Sequence, residues 1–140
     1  MTGAPGLEPQ RIIRLAPGAV EMLDQTRLPS EEVVLRCEDW AAVVDAIRRL
    51  AIRGAPAIGV AGAMGVALAA ERAPHDDPGA FGAALAEAVA GLRAARPTAV
   101  NLAWAVDAQA ALAAGHPGTP GEVAAALAAG ARRIHADEVD

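Results

Sequence analysis

The sequence predicts an α+β protein, with a small antiparallel sheet of about three strands followed by a bundle of about five helices. Three short apolar runs separated by turn residues lie within the first 37 residues. From residue 39 onward, apolar residues recur at helical spacing, and proline and glycine divide this part into segments. The length of 140 residues is typical of one domain with its own core.

The strands are predicted over residues 11–15, 19–24 and 32–37. Between the first two strands, Pro17 and Gly18 suit the centre of a type II turn, where the glycine takes a positive φ. The expected organisation is a flexible tail at 1–10 and one domain at 11–140, made of a sheet at 11–37 and a helical bundle at 39–140.

The first two predicted helices meet at a glycine. Asp39 is a suitable N-cap for the first helix, and Gly54 is predicted to end it as the C′ residue. Pro56 suits the first turn of the second helix. Glycines inside a helix weaken it by about 1 kcal/mol each relative to alanine. Their recurrence in the second helix indicates that another backbone lies close to it, at Gly59, Gly62 and Gly65.

Proline and threonine mark the boundaries of the remaining helices. The third helix is predicted to stop before Pro97, and Thr98 is predicted to cap the fourth helix over residues 99–114. Thr119 and Glu122 have the spacing of a capping box, which predicts the start of the fifth helix.

Composition and charge argue against several classes of protein. The formal net charge of −5 makes nucleic acid or an anionic membrane an improbable partner. The single cysteine, Cys37, excludes an internal disulfide and a cysteine-cluster metal site, and it fits a reducing, cytoplasmic setting. The first ten residues lack the basic start and apolar run of a signal peptide. The uncharged run at 54–70 is shorter than the roughly 20 residues of a membrane span, which predicts a buried core helix.

A phosphate site is the function that the residues themselves suggest. Arg53 and Gly54 directly precede the second helix, and Arg96 precedes the fourth. The start of a helix presents N–H groups without an internal partner and a partial positive charge, and a guanidinium can form paired bonds to phosphate. If the two helix starts converge, one phosphate would meet both arginines. The alternative is that each arginine is solvated or pairs with a carbonyl at a helix end.

The other chemically interesting residues give weaker signals. Cys37 ends a predicted strand, so a buried inert thiol is favoured over a nucleophile. Asp24 is either a catalytic carboxylate or a turn residue. Asp107 is either a catalytic carboxylate or an exposed helix residue. Asn101, in the first turn of a helix, either reaches a ligand or caps locally. Three histidines have no metal-ligand spacing and are interpreted as surface residues, His75, His116 and His135.

Several motifs resemble the N-terminal part of the methylthioribose-1-phosphate isomerase family, in the family's order and spacing. The resemblance covers nearly the whole chain from about residue 11. The motifs are Leu23-Asp24-Gln25, Leu28-Pro29, Ala46-Ile47, RGAPAIGVAGAMGVALA at 53–69 and RPTAVNLAWAVD at 96–107.

The resemblance implies an aldose–ketose isomerase of methionine salvage. Such an enzyme converts 5-methylthioribose 1-phosphate to 5-methylthioribulose 1-phosphate, with no metal and no organic cofactor. It also implies that this phosphorylated sugar is bound by Arg53, Gly54, Ala55 and Arg96. The fold it implies is the cap domain of a two-domain enzyme, which as a full-length protein is expected to form a homodimer.

The resemblance assigns no catalytic residue to this chain. The family's catalytic cysteine and aspartate lie in a C-terminal Rossmann-like domain, and Cys37 does not match the motif of that cysteine. We therefore expect the chain ending at Asp140 to be inactive alone. Two related architectures remain open, a ribose-1,5-bisphosphate isomerase and a regulatory subunit of the translation-initiation exchange factor. A helical interaction domain without affinity for phosphate esters is a third alternative.

Overall fold

The computed structural model describes residues 13–27, 29–49, 51–52 and 54–139. A three-stranded antiparallel sheet in the order β1-β2-β3 is formed by Ile13–Ala16, Ala19–Leu23 and Val34–Cys37. The α-helices of the described part are α1 (Trp40–Arg48), α2 (Ala55–Arg72), α3 (Pro78–Arg93), α4 (Val100–Gly115) and α5 (Pro120–Val139). The predicted fold class, a small sheet followed by five helices, is confirmed.

The sheet begins with a tight hairpin at the predicted turn. Ala16 pairs with Ala19, which leaves Pro17 and Gly18 as the two loop residues, and Gly18 has the expected positive φ of 73°. The guanidinium of Arg72 donates to the carbonyl oxygen of Gly18 at 2.6 Å and so joins this hairpin to the end of α2. The predicted tail at 1–10, and the first two residues of the predicted first strand, lie outside the described residues.

Helix α2 is the centre of the fold, and every residue from Ile58 to Ala70 is buried. Its glycines lie where neighbouring side chains come closest. A Cβ at Gly62 would lie 2.5 Å from Cδ1 of Leu102, and a Cβ at Gly65 would lie 2.8 Å from Cδ2 of Leu92. A Cβ at either position would therefore have to displace a buried leucine side chain. The predicted buried core helix is confirmed. The predicted neighbouring backbone lies close at Gly59, whereas at Gly62 and Gly65 the nearest atoms belong to side chains.

The predicted role of Gly54 at the end of α1 is wrong. Helix α1 ends six residues earlier at Arg48, and Arg49 is its C-cap. Gly54 is instead the N-cap of α2, with a φ of 90° and a ψ of 132°. A positive φ suits a C′ glycine and also this helix start, so the residue type alone does not distinguish the two positions.

Three helices carry the side-chain caps expected of their sequences. Asp39 accepts a hydrogen bond from the Ala42 N–H at 2.8 Å, which confirms the predicted cap of α1. Asp77 caps α3 in the same way. At α5 the Thr119 N–H donates to the Glu122 carboxylate at 2.8 Å, and the Glu122 N–H donates to the Thr119 hydroxyl at 3.2 Å. This reciprocal pair confirms the predicted capping box.

The predicted cap of α4 is wrong, because the chain makes a separate turn before that helix begins. The Ala99 N–H donates to the Arg96 carbonyl at 2.9 Å and closes a β-turn with Pro97 and Thr98 at its centre. Ala99 then occupies the N-cap position of α4, and no side chain caps this helix start. Thr98 is exposed in the turn.

These two threonines provide a matched pair of substitutions. We expect Thr119→Ala to lower the free energy of unfolding by about 1 kcal/mol, because it removes the hydroxyl that accepts from the Glu122 N–H. Thr98→Ala is expected to change it by less than about 0.5 kcal/mol. Urea denaturation of both variants measures the difference. Equal losses in the two variants would contradict the assignment of the caps.

Large apolar side chains are exposed along one side of α4. Val100 is 78% exposed and Trp104, one turn further on, is 60% exposed.

Within the described residues, no helix is long and apolar enough to cross a membrane.

Candidate functional site

Helices α2 and α4 pack side by side and run in the same direction. The contacts between them advance together along both chains. A Cβ at Gly59 would lie 3.0 Å from the carbonyl oxygen of Asn101, and further along Gln109 donates to the carbonyl oxygen of Ala63. Gly59 is four residues into α2 and Asn101 one residue into α4, so the two starts lie within roughly one helical turn of each other along their axes. The fold therefore brings the two predicted helix starts to one end of the molecule.

These two neighbouring helix starts are also the ones without side-chain caps. Among the described residues, no side chain accepts a hydrogen bond from the first turn of α2 or of α4. By contrast α1, α3 and α5 are all capped. Among the described residues other than its chain neighbours, none lies within 4 Å of a Cβ placed on Gly54, so none of these blocks the start of α2 at this point. Uncapped N–H groups at two adjacent starts form a suitable environment for an anion.

Arg96 lies at this end of the molecule, in the turn that leads into α4. Its carbonyl closes the turn with Ala99, and the residue is half-buried. Within the part of the chain that the structure describes, its guanidinium has no hydrogen bond or ion pair of its own. Asn101, in the first turn of α4, is also half-buried, and its backbone packs on Gly59. The guanidinium of Arg96 is thus available for a ligand.

Two of the predicted binding residues need separate statements. Arg53 lies outside the described residues, so its convergence with Arg96 on one phosphate stays a prediction. Ala55 is the first residue of α2, directly after Gly54. The structure therefore brings the starts of α2 and α4 together.

Asp24 is a buried turn residue, and the N–H of the next residue, Gln25, donates to the carbonyl oxygen of Ala51, three residues before Gly54. Its Oδ1 accepts from the N–H of Thr26 at 3.0 Å and from the hydroxyl of Thr26 at 2.5 Å. Its Oδ2 lies 3.7 Å from a guanidinium nitrogen of Arg49. The hydroxyl of Thr26 is the main cause that lowers the pKa of Asp24. Burial opposes this, while the Thr26 N–H and Arg49 add to it. The ionised carboxylate of Asp24 thus stabilises a turn, which is one of the two roles that the sequence left open for this residue.

The lowered pKa of Asp24 has a consequence for stability. Because its pKa in the folded state lies below the ordinary value of 3.8, the unfolded state takes up the proton first as the pH falls. The stabilisation is therefore present near neutral pH and is lost as the pH falls through the folded value. We expect Asp24→Asn to have a lower free energy of unfolding than the unsubstituted chain at neutral pH, with the difference becoming smaller as the pH falls below 3.8. Urea denaturation across this range measures the difference, and a constant difference would contradict the assignment.

The other chemically interesting residues are buried or contact other groups of the protein: Cys37, Asp107 and His75. Cys37 is buried, and burial raises the pKa of its thiol, which agrees with the inert interpretation. Asp107 is exposed and forms a two-pronged ion pair with Arg93 at 2.9 and 3.2 Å. The Nε2 of His75 lies 2.8 Å from the carbonyl oxygen of Ala70. No group of three or more potential metal ligands occurs among the described residues.

The sequence interpretation did not single out Gln109, which is 1% exposed. Its Nε2 donates to the carbonyl oxygen of Ala63 in α2 at 3.0 Å and to that of Leu127 in α5 at 2.8 Å. It therefore joins three helices behind the site. One signal was available: Gln109 follows Leu102 by seven residues and so shares its buried helix face.

Comparisons with known proteins agree with this architecture. The chain is 48% identical over 120 residues to the methylthioribose-1-phosphate isomerase of Alkalilimnicola ehrlichii, covering 86% of this chain and 34% of that protein. It is also similar to the crystal structure of 5-methylthioribose 1-phosphate isomerase from Pyrococcus horikoshii, with a TM-score of 0.85 and 34% identity over 91% of this chain and 36% of that one. The chain thus spans about a third of the length of the curated relatives it matches.

A second solved structure is nearly as similar. It is the translation initiation factor eIF-2B, subunit delta, from A. fulgidus, with a TM-score of 0.84 and 35% identity over 91% of this chain and 37% of that one. The resemblance predicted from the motifs is confirmed, as is its restriction to the N-terminal part of the isomerases. The model of the Initiation factor 2 subunit family matches residues 51–138, and the chain belongs to that family.

Proposed function

We propose that this chain supplies the phosphate-binding part of an aldose–ketose isomerase that converts 5-methylthioribose 1-phosphate to 5-methylthioribulose 1-phosphate. The observation that carries the proposal is the pair of parallel helix starts at α2 and α4, which no described side chain caps, with Arg96 in the turn directly before α4. The reaction itself is taken from the printed names of the relatives.

The proposed site suits a sugar phosphate for three physical reasons. The partial positive charges of two helix starts attract a dianion. Gly54 has no side chain, so phosphate oxygens can approach the backbone N–H groups closely. Guanidinium groups from Arg96 and Arg53 then form charge-assisted hydrogen bonds to the remaining oxygens. We therefore assign substrate binding to Arg53, Gly54, Ala55 and Arg96.

A firmly held phosphate assists the chemistry of this substrate. The phosphate caps the anomeric oxygen, so the ring cannot open by losing the proton of a free hydroxyl group. The bond between C1 and the ring oxygen must break instead, with a proton supplied to the ring oxygen. Fixed N–H and guanidinium donors hold the phosphate, and with it C1, in one position during this step. Hydrogen must then move between C1 and C2. The carboxylate of Asp24 is occupied by Thr26 and Arg49, and the thiol of Cys37 is buried, so neither group is placed to move this hydrogen. We infer that the proton-transferring groups come from the two thirds of the relatives that this chain does not match.

Calorimetric titration of the chain with 5-methylthioribose 1-phosphate tests the proposal. We expect saturable binding that inorganic phosphate competes away, and no binding of 5-methylthioribose, which lacks the phosphate. We also expect no conversion to the ketose by the 140-residue chain alone. Failure to bind the phosphate ester would overturn the proposed site, and turnover by the chain alone would overturn the assignment of the catalytic groups elsewhere.

A non-catalytic assembly module is the second candidate, favoured by the similarity to the eIF-2B delta subunit and by the exposed side of α4. Val100 and Trp104 are large apolar residues that a neighbouring protein surface could cover. This function requires no affinity for phosphate esters, so the same titration distinguishes it. Loss of association with a partner on Trp104→Ala, together with absent phosphate binding, would favour the module.

A further inference from the structure

The turn formed by Asp24 is bonded to the segment that enters α2. The N–H of Gln25, next to Asp24, donates to the carbonyl oxygen of Ala51 at 2.7 Å, and Ala51 in turn donates to Ala46 at 2.9 Å. Only two residues then separate Ala51 from Gly54. The Asp24 turn is therefore hydrogen-bonded to a residue that lies three positions before Gly54, the N-cap of α2.

Asp24 also holds the other end of the same segment. Its Oδ2 lies 3.7 Å from Nη1 of Arg49, whose Nε donates to Asp45 at 3.0 Å. On the opposite side, the Asp24 N–H donates to the carbonyl oxygen of Val33 at 2.7 Å, which ties the turn to the residue before β3. The turn at Asp24 thus contacts Arg49 through its carboxylate, and it contacts Val33 and Ala51 through the backbone N–H groups of Asp24 and Gln25.

We propose that Asp24 is a positioning residue for the phosphate site, since its turn sets the location of the segment that leads to Gly54 at the start of α2. This inference rests on the function proposed above. Asp24 itself does not touch the ligand, because its carboxylate is occupied by Thr26 and Arg49. Small displacements of groups that bind a substrate have large effects on its affinity and reactivity. A buried turn that is bonded to Ala51, three residues before Gly54, is therefore well placed to control the site.

The experiment uses the variant Asp24→Asn in the full 140-residue chain, with inorganic phosphate as the probe. Asparagine keeps an oxygen that accepts from the Thr26 N–H but loses the charge that attracts Arg49. Two quantities are measured by NMR: the amide resonance of Gly54 without ligand, and the affinity for phosphate from amide shifts. We expect the Gly54 resonance to move and the affinity to fall about tenfold. Thr26→Val, which removes only the hydroxyl, should act in the same direction to a smaller extent.

Two control variants separate positioning from a general loss of charge or stability. Asp107→Asn makes the same change of charge at an exposed ion pair, and Thr119→Ala weakens the fold at a distant helix cap. Both should leave the affinity for phosphate and the Gly54 resonance unchanged.

The outcomes distinguish this inference from the proposed function. If the unsubstituted chain binds phosphate, either of two results in Asp24→Asn would overturn the positioning role alone. One is a Gly54 resonance that does not move, and the other is an unchanged affinity for phosphate. Absence of phosphate binding by the unsubstituted chain would overturn the proposed function and, with it, this role of Asp24. An equal loss of affinity in Thr119→Ala would assign the effect to stability and would also overturn the inference.

Discussion

Replacing Gly62 with valine is expected to lower the free energy of unfolding by about 3 kcal/mol, since overpacking a filled core costs on this order. A Cβ at this position would lie 2.5 Å from Cδ1 of Leu102 and 3.0 Å from Cγ2 of Val106, both fully buried. The additional methyl groups of valine would force α2 and α4 apart. Valine has a higher helix propensity than glycine, but this offsets less than about 0.5 kcal/mol of the lost stability. Urea denaturation followed by circular dichroism measures the loss.

Gly82 provides the matched control. It lies in helix α3, is exposed, and has nothing within 4 Å of an added Cβ. Gly82→Val should therefore leave the stability unchanged or raise it by a few tenths, roughly 0.3 kcal/mol. Similar losses in the two variants would mean that valine is unfavourable in these helices generally, and the close contact of α2 with α4 would then not explain the result.

Replacing Arg53 or Arg96 with alanine is expected to weaken the binding of the phosphate ester by about tenfold to a hundredfold each. Hydrogen bonds to a charged group contribute about 1.5–3 kcal/mol, and about 1.4 kcal/mol corresponds to a factor of ten. If both guanidinium groups hold one phosphate, their effects are coupled, and the double variant differs from the product of the single losses. Calorimetric titration of the two single variants and the double variant completes the cycle.

The control for this cycle is Arg93→Ala, which removes a guanidinium whose partner is the exposed carboxylate of Asp107. It should bind the ester as the unsubstituted chain does. Strictly independent losses for Arg53 and Arg96 would show that the two arginines contact different parts of the ligand. Unchanged affinity in both single variants would overturn the proposed site.

The features predicted correctly from the sequence depend on short-range patterns. The hairpin turn at Gly18, the cap at Asp39 and the capping box at Thr119 are each determined by a few neighbouring residues. The buried α2 was predictable because its uncharged run leaves no side suited to water. The glycines predicted its close neighbours, although they did not identify α4 as one of them.

The errors occurred where a boundary depends on contacts between elements. Gly54 was assigned to the end of α1, but the Gln25 N–H donates to the carbonyl oxygen of Ala51, and Ala51 and Ile52 lie outside both helices. Thr98 was assigned as a cap, but a turn at Arg96 delays the helix. For the site, the sequence identified two arginines before two helices. The meeting of those two helix starts depends on the parallel packing of α2 and α4, which no local pattern encodes.

The parallel arrangement of α2 and α4 has an electrostatic consequence. Two helices laid side by side in the same direction bring like partial charges together, so their positive poles repel each other at the end where both chains begin. The closely fitted seam along Gly62 and Leu102 holds them there against this repulsion. A bound dianion would act as the missing counter-charge and relieve that strain. Binding of an anion at this end of the two helices and the stability of the helical core are therefore thermodynamically linked.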